Sequence, residues 1–371
     1  MHQNRRGVIQ IIVRWFLCLI IIGALAETRL TSVRSQAPDG MEAASRPIYL
    51  PMISKASGGM PVMLGVYPQG WPASPDVMKN EFHGLDTWAG KQHSIGGTFS
   101  GFEINDPDGN VTILLRTMWD HGYTPFVNIA TDYSASGVAN GQIDAYIRAW
   151  ARAFKNYANN GQRMAFLAPL QEMNGDWVPY GLSPANYKLA YDRIQRIFRE
   201  EGVPDNSVRW TFAPNGWSDP KDPPFESYYP GDSKVDVVGF SAYNFGYTIK
   251  GGIWQDPEDV FPKYMRRMYT MAPTKPIFIA QTATTAYSAP GNYNVNEKNR
   301  WLREAYPYLL TFNNLRAIIY FNVGSDPKLD WPFFVYDNPS KQFQGYRDGV
   351  ADPRFVYIAP GDLINTDLSI K

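Results

Sequence analysis

Apolar residues along this chain fall into short continuous runs that alternate with amphipathic stretches of helical period. The runs rich in strand-forming residues lie at 63–67, 94–99, 124–130, 164–170, 208–213, 235–242, 277–282 and 317–323. Between them, apolar positions recur every three or four residues, and Ile143, Tyr146, Ile147, Trp150, Ala151, Phe154 and Ala158 form one predicted buried stripe. A second stripe, Tyr187, Tyr191, Ile194 and Phe198, starts after Ser183 as N-cap with Pro184 at the first helical position, and Gly202 stops it. A strand that is apolar throughout is covered on both faces, which is how parallel strands sit beneath helices. Eight strand-helix units therefore predict an α/β fold of the (β/α)8 type, a TIM barrel. An open doubly wound sheet is the alternative, but no Gly-x-Gly-x-x-Gly or phosphate loop follows the first strand.

The first 60 residues break this pattern. Arg5, Arg6 and Arg14 precede the apolar stretch 16–26, and Ala24-Leu25-Ala26 matches a small-x-small cleavage site, so 1–26 reads as a signal peptide. The stretch is short for a membrane span, which takes about 20 apolar residues. Residues 27–60 are rich in Ser, Ala, Gly and Pro and read as a flexible tether. The barrel then occupies 61–356, leaving 357–371 as a C-terminal tail. These segments predict a secreted or extracellular protein, with a cell-surface tether possible in principle and no other membrane element.

Charge and composition narrow the chemistry. Loss of 1–26 removes three Arg and no acid, leaving 32 basic residues against 35 acidic, a balance that points to no nucleic-acid partner. Cys18, the one cysteine, lies inside the signal segment, so the mature chain has no disulfide or thiol chemistry and rests on a large core, expected as a monomer. The four His have no paired spacing and no cysteine beside them, so no metal site and no cofactor is expected. No Gly-x-Ser-x-Gly elbow is present.

Active sites of these barrels form at the carboxyl ends of the strands. The residues there are Pro68, Gln69 and Trp71, then Asp132 and Tyr133, then Glu172, Asn174 and Trp177, then Asn215 and Trp217, then Tyr243 and Asn244, then Gln281, and last Asn322 and Asp326. Aromatic rings, amides and carboxylates suit a groove that stacks on sugar faces and bonds hydroxyls. Glu172 closes a buried run and is the candidate acid. Asn174, Trp177, Trp217, Tyr243, Asn215, Trp71 and Asp132 are candidate substrate-binding residues, and the partner is a β-linked polysaccharide or oligosaccharide.

At these residues the chain resembles the family 26 glycoside hydrolases, whose best-known members are endo-β-mannanases. Glu172-Met173-Asn174-Gly175-Asp176-Trp177 is similar to the family's acid/base segment on the fourth strand. Residues 235–244, 276–282 and 351–355 are similar to its sixth strand, seventh strand and final stretch. The resemblance implies that Glu172 is the acid/base and that position 281 is the nucleophile, yet residue 281 is Gln281. It further implies Arg and His where this chain has Ala168 and Gln171. A retaining glycosidase needs two carboxyl groups about 5–5.5 Å apart, and an amide is a poor nucleophile. Two functions stay open. One is a β-glycan hydrolase in which Glu172 donates the proton and a second carboxylate, with Asp132, Asp176 and Asp326 the candidates, activates water from about 6.5–9.5 Å. The other is a catalytically impaired barrel that binds extracellular β-glycan without hydrolysis.

Overall fold

A computed structural model describes residues 61–249, 251–324, 333–337 and 341–368. The signal segment, the tether and Asp326 lie outside the described residues. Eight parallel strands close into a barrel: β1 (Val62–Tyr67), β2 (Ile95–Gly101), β3 (Thr124–Ala130), β4 (Ala165–Pro169), β5 (Val208–Phe212), β6 (Val237–Asn244), β7 (Ile277–Thr284) and β8 (Leu315–Phe321). Each pairs with its sequence neighbour, and β8 returns to β1 in the register Met63↔Ala317 through Tyr67↔Phe321. Each strand overlaps one expected from the apolar runs, and β3 has the expected bounds.

Continuous apolar runs become strands here because both faces are covered. Inside the barrel, Phe166 packs against Phe126 with ring centroids 6.3 Å apart and against Phe278 at 5.0 Å. Outside, α1 (Asp144–Ala158) lays Ile147, Trp150, Ala151 and Phe154 on the sheet. Trp150 also donates its indole N–H to Ser100 Oγ at 3.0 Å, so the largest ring of that face reaches the core with its polar atom satisfied. Tyr146, assigned above to the buried stripe, stands 44% exposed at its edge. The next helix, α2 (Pro184–Glu200), begins at Pro184 as expected, but Ser183 makes no side-chain cap to the backbone and instead accepts from Asn186 Nδ2 at 2.9 Å. Gly202, at φ +73, ends this stretch in a backbone conformation that favours glycine.

Residues 357–368 pack on the barrel. Phe355–Val356 adds a short parallel strand beside Val62–Met63, Leu363 is buried, and Arg209 donates to Ile364 O at 2.8 Å. Among the described residues, no helix is long and apolar enough to cross a membrane.

Candidate active site

The end of β4 is the most contorted stretch of the barrel rim. After Pro169 the backbone enters the left-handed region at Leu170 and again at Glu172, each with φ 56. For residues with a Cβ this costs on the order of 1–3 kcal/mol each, and it persists only where surrounding contacts hold it. Here Leu170 N donates to Ile129 O at 2.7 Å and Glu172 N to Ala213 O at 2.9 Å, pinning the segment to β3 on one side and to the start of the loop after β5 on the other. The result swings the Glu172 carboxyl inward, where the residue is 7% exposed.

Three donors from three elements hold that carboxyl. Trp177 Nε1 donates to Oε2 at 3.0 Å, Asn215 Nδ2 donates to Oε1 at 3.2 Å, and the Ser241 side chain supplies a third hydrogen bond. Burial raises the Glu172 pKa above the ordinary carboxylate value, and the bonds from Ser241, Trp177 and Asn215 offset only part of that rise. No carboxylate or cation is among the groups that shift it. A carboxyl in this state holds its proton to higher pH than a solvated one, as a general acid requires.

That shift also has a stability consequence. Between its unfolded and folded pKa values the native Glu172 binds more protons than the unfolded chain, so its contribution to stability falls as pH rises through that window. Melting curves of the parent and Glu172→Gln are expected to move in the variant's favour as pH rises above the ordinary carboxylate range of about 4. Parallel curves above that range would contradict the raised value.

Asn174 and Asn215 build the wall around the acid. Asn174 is fully buried, its Oδ1 accepts Asn215 N at 2.9 Å, and its Nδ2 lies 2.9 Å from Asn215 O, 3.0 Å from Trp217 O and 2.8 Å from Ser218 Oγ. Its polar atoms are thus spent on bracing the loop after β5, and no face of it is open to a ligand. Asn215, in turn, accepts Trp217 N on Oδ1 at 3.0 Å, so one side chain both binds the acid and orients the loop. Gly175 is required by closeness: a Cβ there would lie 2.3 Å from the Trp177 ring.

The three rings given one role from sequence have separate ones. Trp177 and Trp217 stack with centroids 6.5 Å apart and planes 19° apart, but Trp177 is 5% exposed and Trp217 is 40% exposed. Tyr243 is 8% exposed. Trp217 therefore offers the open face, while Trp177 serves the acid. Tyr243 donates its hydroxyl to Gln281 Oε1 at 2.7 Å, and burial keeps that phenol protonated. Gln281 stands on β7 opposite Ser241 of β6. Trp71 is half-buried and lines a cavity with Tyr67, Phe99 and Phe321. Asp132 and Asp176 are exposed.

Sequence reasoning missed Ser241, although it lies two residues before Tyr243 and so on the same strand face. It also missed Tyr67, the last residue of β1, whose hydroxyl accepts from Asn128 Nδ2 at 2.8 Å and feels the Glu172 charge. A further strand-end acid, Glu103, sits past β2; it accepts from Thr131, and burial raises its pKa.

Residues 116–282, which include β3 to β6 and most of β7, match the model of glycosyl hydrolase family 26. Endoglucanase H of Acetivibrio thermocellus is 31% identical over 209 residues, covering 54% of this chain and 21% of that protein. A mannan endo-1,4-beta-mannosidase of Bacillus subtilis is 30% identical over 215 residues, covering 54% of this chain and 55% of the enzyme. The chain thus spans about half or less of the length of these relatives. Among solved structures, the catalytic domain of a Bacillus sp. JAMB-750 endo-beta-1,4-mannanase superposes with TM-score 0.59 at 16% identity, covering 83% of this chain and 90% of that one. At that identity the superposition establishes the barrel fold.

Proposed function

We propose, for a chain whose residues 116–282 match the model of glycosyl hydrolase family 26, a glycoside hydrolase-type protein acting on a β-linked polysaccharide of the mannan or glucan kind. The observation that carries this reading is Glu172, a buried carboxyl at the carboxyl end of β4 with its oxygens held by Trp177, Asn215 and Ser241. In its protonated state it donates to the glycosidic oxygen as the C1–O bond breaks. Gln281 occupies the position where the family resemblance implies the nucleophile, so turnover of an ordinary β-mannan is slow. The basic, apolar and small-x-small order of residues 1–26 supports export, with 27–60 as a tether.

A second reading, a barrel that binds β-glycan without cleaving it, is favoured by one observation. Among the described residues, no second carboxylate acts on Glu172, and Asp132 and Asp176 are exposed. Both readings require an aromatic groove. Trp217→Ala is expected to weaken binding of mannohexaose or cellohexaose by about 1 kcal/mol while leaving the melting temperature nearly unchanged, because the ring is half open to solvent. Calorimetric titration of both oligosaccharides into parent and variant checks this. Failure of the parent to bind any β-linked oligosaccharide would remove both readings.

A further inference from the structure

Two histidines with no ligand spacing in the sequence, His83 and His121, are brought together by the fold. His83 closes a π-helical turn, Met78–His83, in the helix between β1 and β2, and His121 follows the helix Leu114–Asp120 that leads into β3. His121 lies just before Thr124, the first residue of β3, so the pair belongs to the amino ends of the strands, whereas Glu172 belongs to the carboxyl ends. His83 Nε2 stands 3.1 Å from His121 Nδ1. His83 is half-buried and His121 is exposed, so water and ions reach the pair.

The tautomer of His83 is fixed from behind. Asp86 accepts the Tyr123 hydroxyl on Oδ2 at 2.6 Å, and its Oδ1 accepts the His93 backbone N–H at 3.2 Å and His93 Nδ1 at 2.5 Å. A carboxylate that takes these three donors has no proton of its own to give, so the Tyr123 hydroxyl spends its one proton on Asp86. The same hydroxyl oxygen lies 3.2 Å from His83 Nδ1 and there can only accept. His83 Nδ1 therefore carries the proton, and Nε2 keeps its lone pair on the side of His121. His93 offers no such atom, because its Nε2 meets the Tyr346 hydroxyl at 2.7 Å and both of its nitrogens are engaged in the interior.

We propose that His83 Nε2 and His121 Nδ1 bind a divalent transition-metal ion of the zinc type. Two nitrogens each about 2.0–2.1 Å from a tetrahedral zinc lie about 3.3–3.4 Å apart, so the pair opens by only a few tenths of an ångström to admit the ion. His121 contributes by taking its other neutral tautomer, with the N–H on Nε2 and the lone pair on Nδ1. Behind His83, the Tyr123 hydroxyl and the Asp86 carboxylate supply the outer shell that orients a metal-binding imidazole and raises its basicity. Among the described residues no three metal-binding side chains converge, so the chain supplies two ligands and water completes the coordination. Imidazole nitrogen selects zinc and its transition-metal neighbours over magnesium and calcium, which take oxygen ligands. The ion clamps the helix between β1 and β2 to the end of the helix between β2 and β3, and it stabilises the native chain by mass action.

The test is calorimetric titration of the untagged full-length protein, freed of metal, with zinc chloride and with magnesium chloride. Zinc is expected to bind and to raise the melting temperature, and magnesium to do neither. His83→Gln and His121→Gln are each expected to weaken zinc binding by about 10²-fold or more, at least the upper range for losing an outer-shell partner, and to remove the zinc-dependent melting shift. His121 is exposed, so His121→Gln is expected to melt like the parent when no metal is present. Tyr123→Phe keeps both imidazoles but releases the His83 tautomer, and it is expected to weaken zinc binding by about tenfold. No zinc binding by the parent, or zinc binding that persists undiminished in His121→Gln, overturns the proposal. Unchanged zinc affinity in a folded Tyr123→Phe overturns the fixed tautomer on which it rests.

Discussion

Glu172→Gln is expected to lower cleavage of an unactivated β-linked oligosaccharide by about 10²–10⁴-fold, the usual contribution of a positioned general acid. The glutamine preserves shape and leaves the Trp177 and Asn215 side chains in place, but it has no proton to transfer to the departing oxygen. The loss is expected to depend on the leaving group: a dinitrophenyl glycoside, which departs without protonation, is expected to lose far less than an oligosaccharide. Steady-state rates on the two substrate types check this. A variant equally impaired on both would place Glu172 in ground-state binding instead of proton donation.

The second large effect belongs to Gln281→Glu. Tyr243 already donates its hydroxyl to Oε1 of this side chain, a bond that favours an ionised carboxylate in the variant. Glu172 is desolvated and remains the group that keeps its proton. The two environments therefore push the pair apart in the order a retaining enzyme needs, base-form nucleophile at 281 and acid at 172. Hydrolysis of β-mannan or mixed-linkage glucan is expected to rise by about 10²-fold or more, the scale of one electrostatic stabiliser of the developing charge. Retention of configuration, read by NMR, accompanies it. An inactive variant that still binds the glycan would show that Ala168 and Gln171, where the family resemblance implies Arg and His, have changed the site beyond one residue.

The barrel was legible because its strands are buried on both faces, a condition that writes itself as uninterrupted apolar runs. Where that condition weakens, the reading drifts by a residue or two, as at β2, expected over 94–99 and found at Ile95–Gly101, and at β6, expected over 235–242 and found at Val237–Asn244. Strand ends also marked the rim, and with it Glu172, Asn215 and Gln281. What each rim residue does was less legible. Asn174 and Trp217 are both polar-tipped or aromatic loop residues in sequence, yet one is a sealed brace and the other an open face. The difference comes from two left-handed backbone turns at Leu170 and Glu172, which no apolar period encodes because they arise from contacts to β3 and the loop after β5. Ser241 escaped for the opposite reason, a small polar residue hidden inside a strand that otherwise reads as core.

Reducing-sugar release from β-mannan and mixed-linkage glucan by Gln281→Glu, with and without Glu172→Gln in the same chain, tests the assignment of the acid most directly. It does so independently of how slowly the parent turns over. The single variant is expected to hydrolyse at least one of the two glycans, and the double variant is expected to lose that activity by about 10²-fold or more. Equal rates from the single and double variants would contradict the claim that Glu172 is the proton donor of this groove.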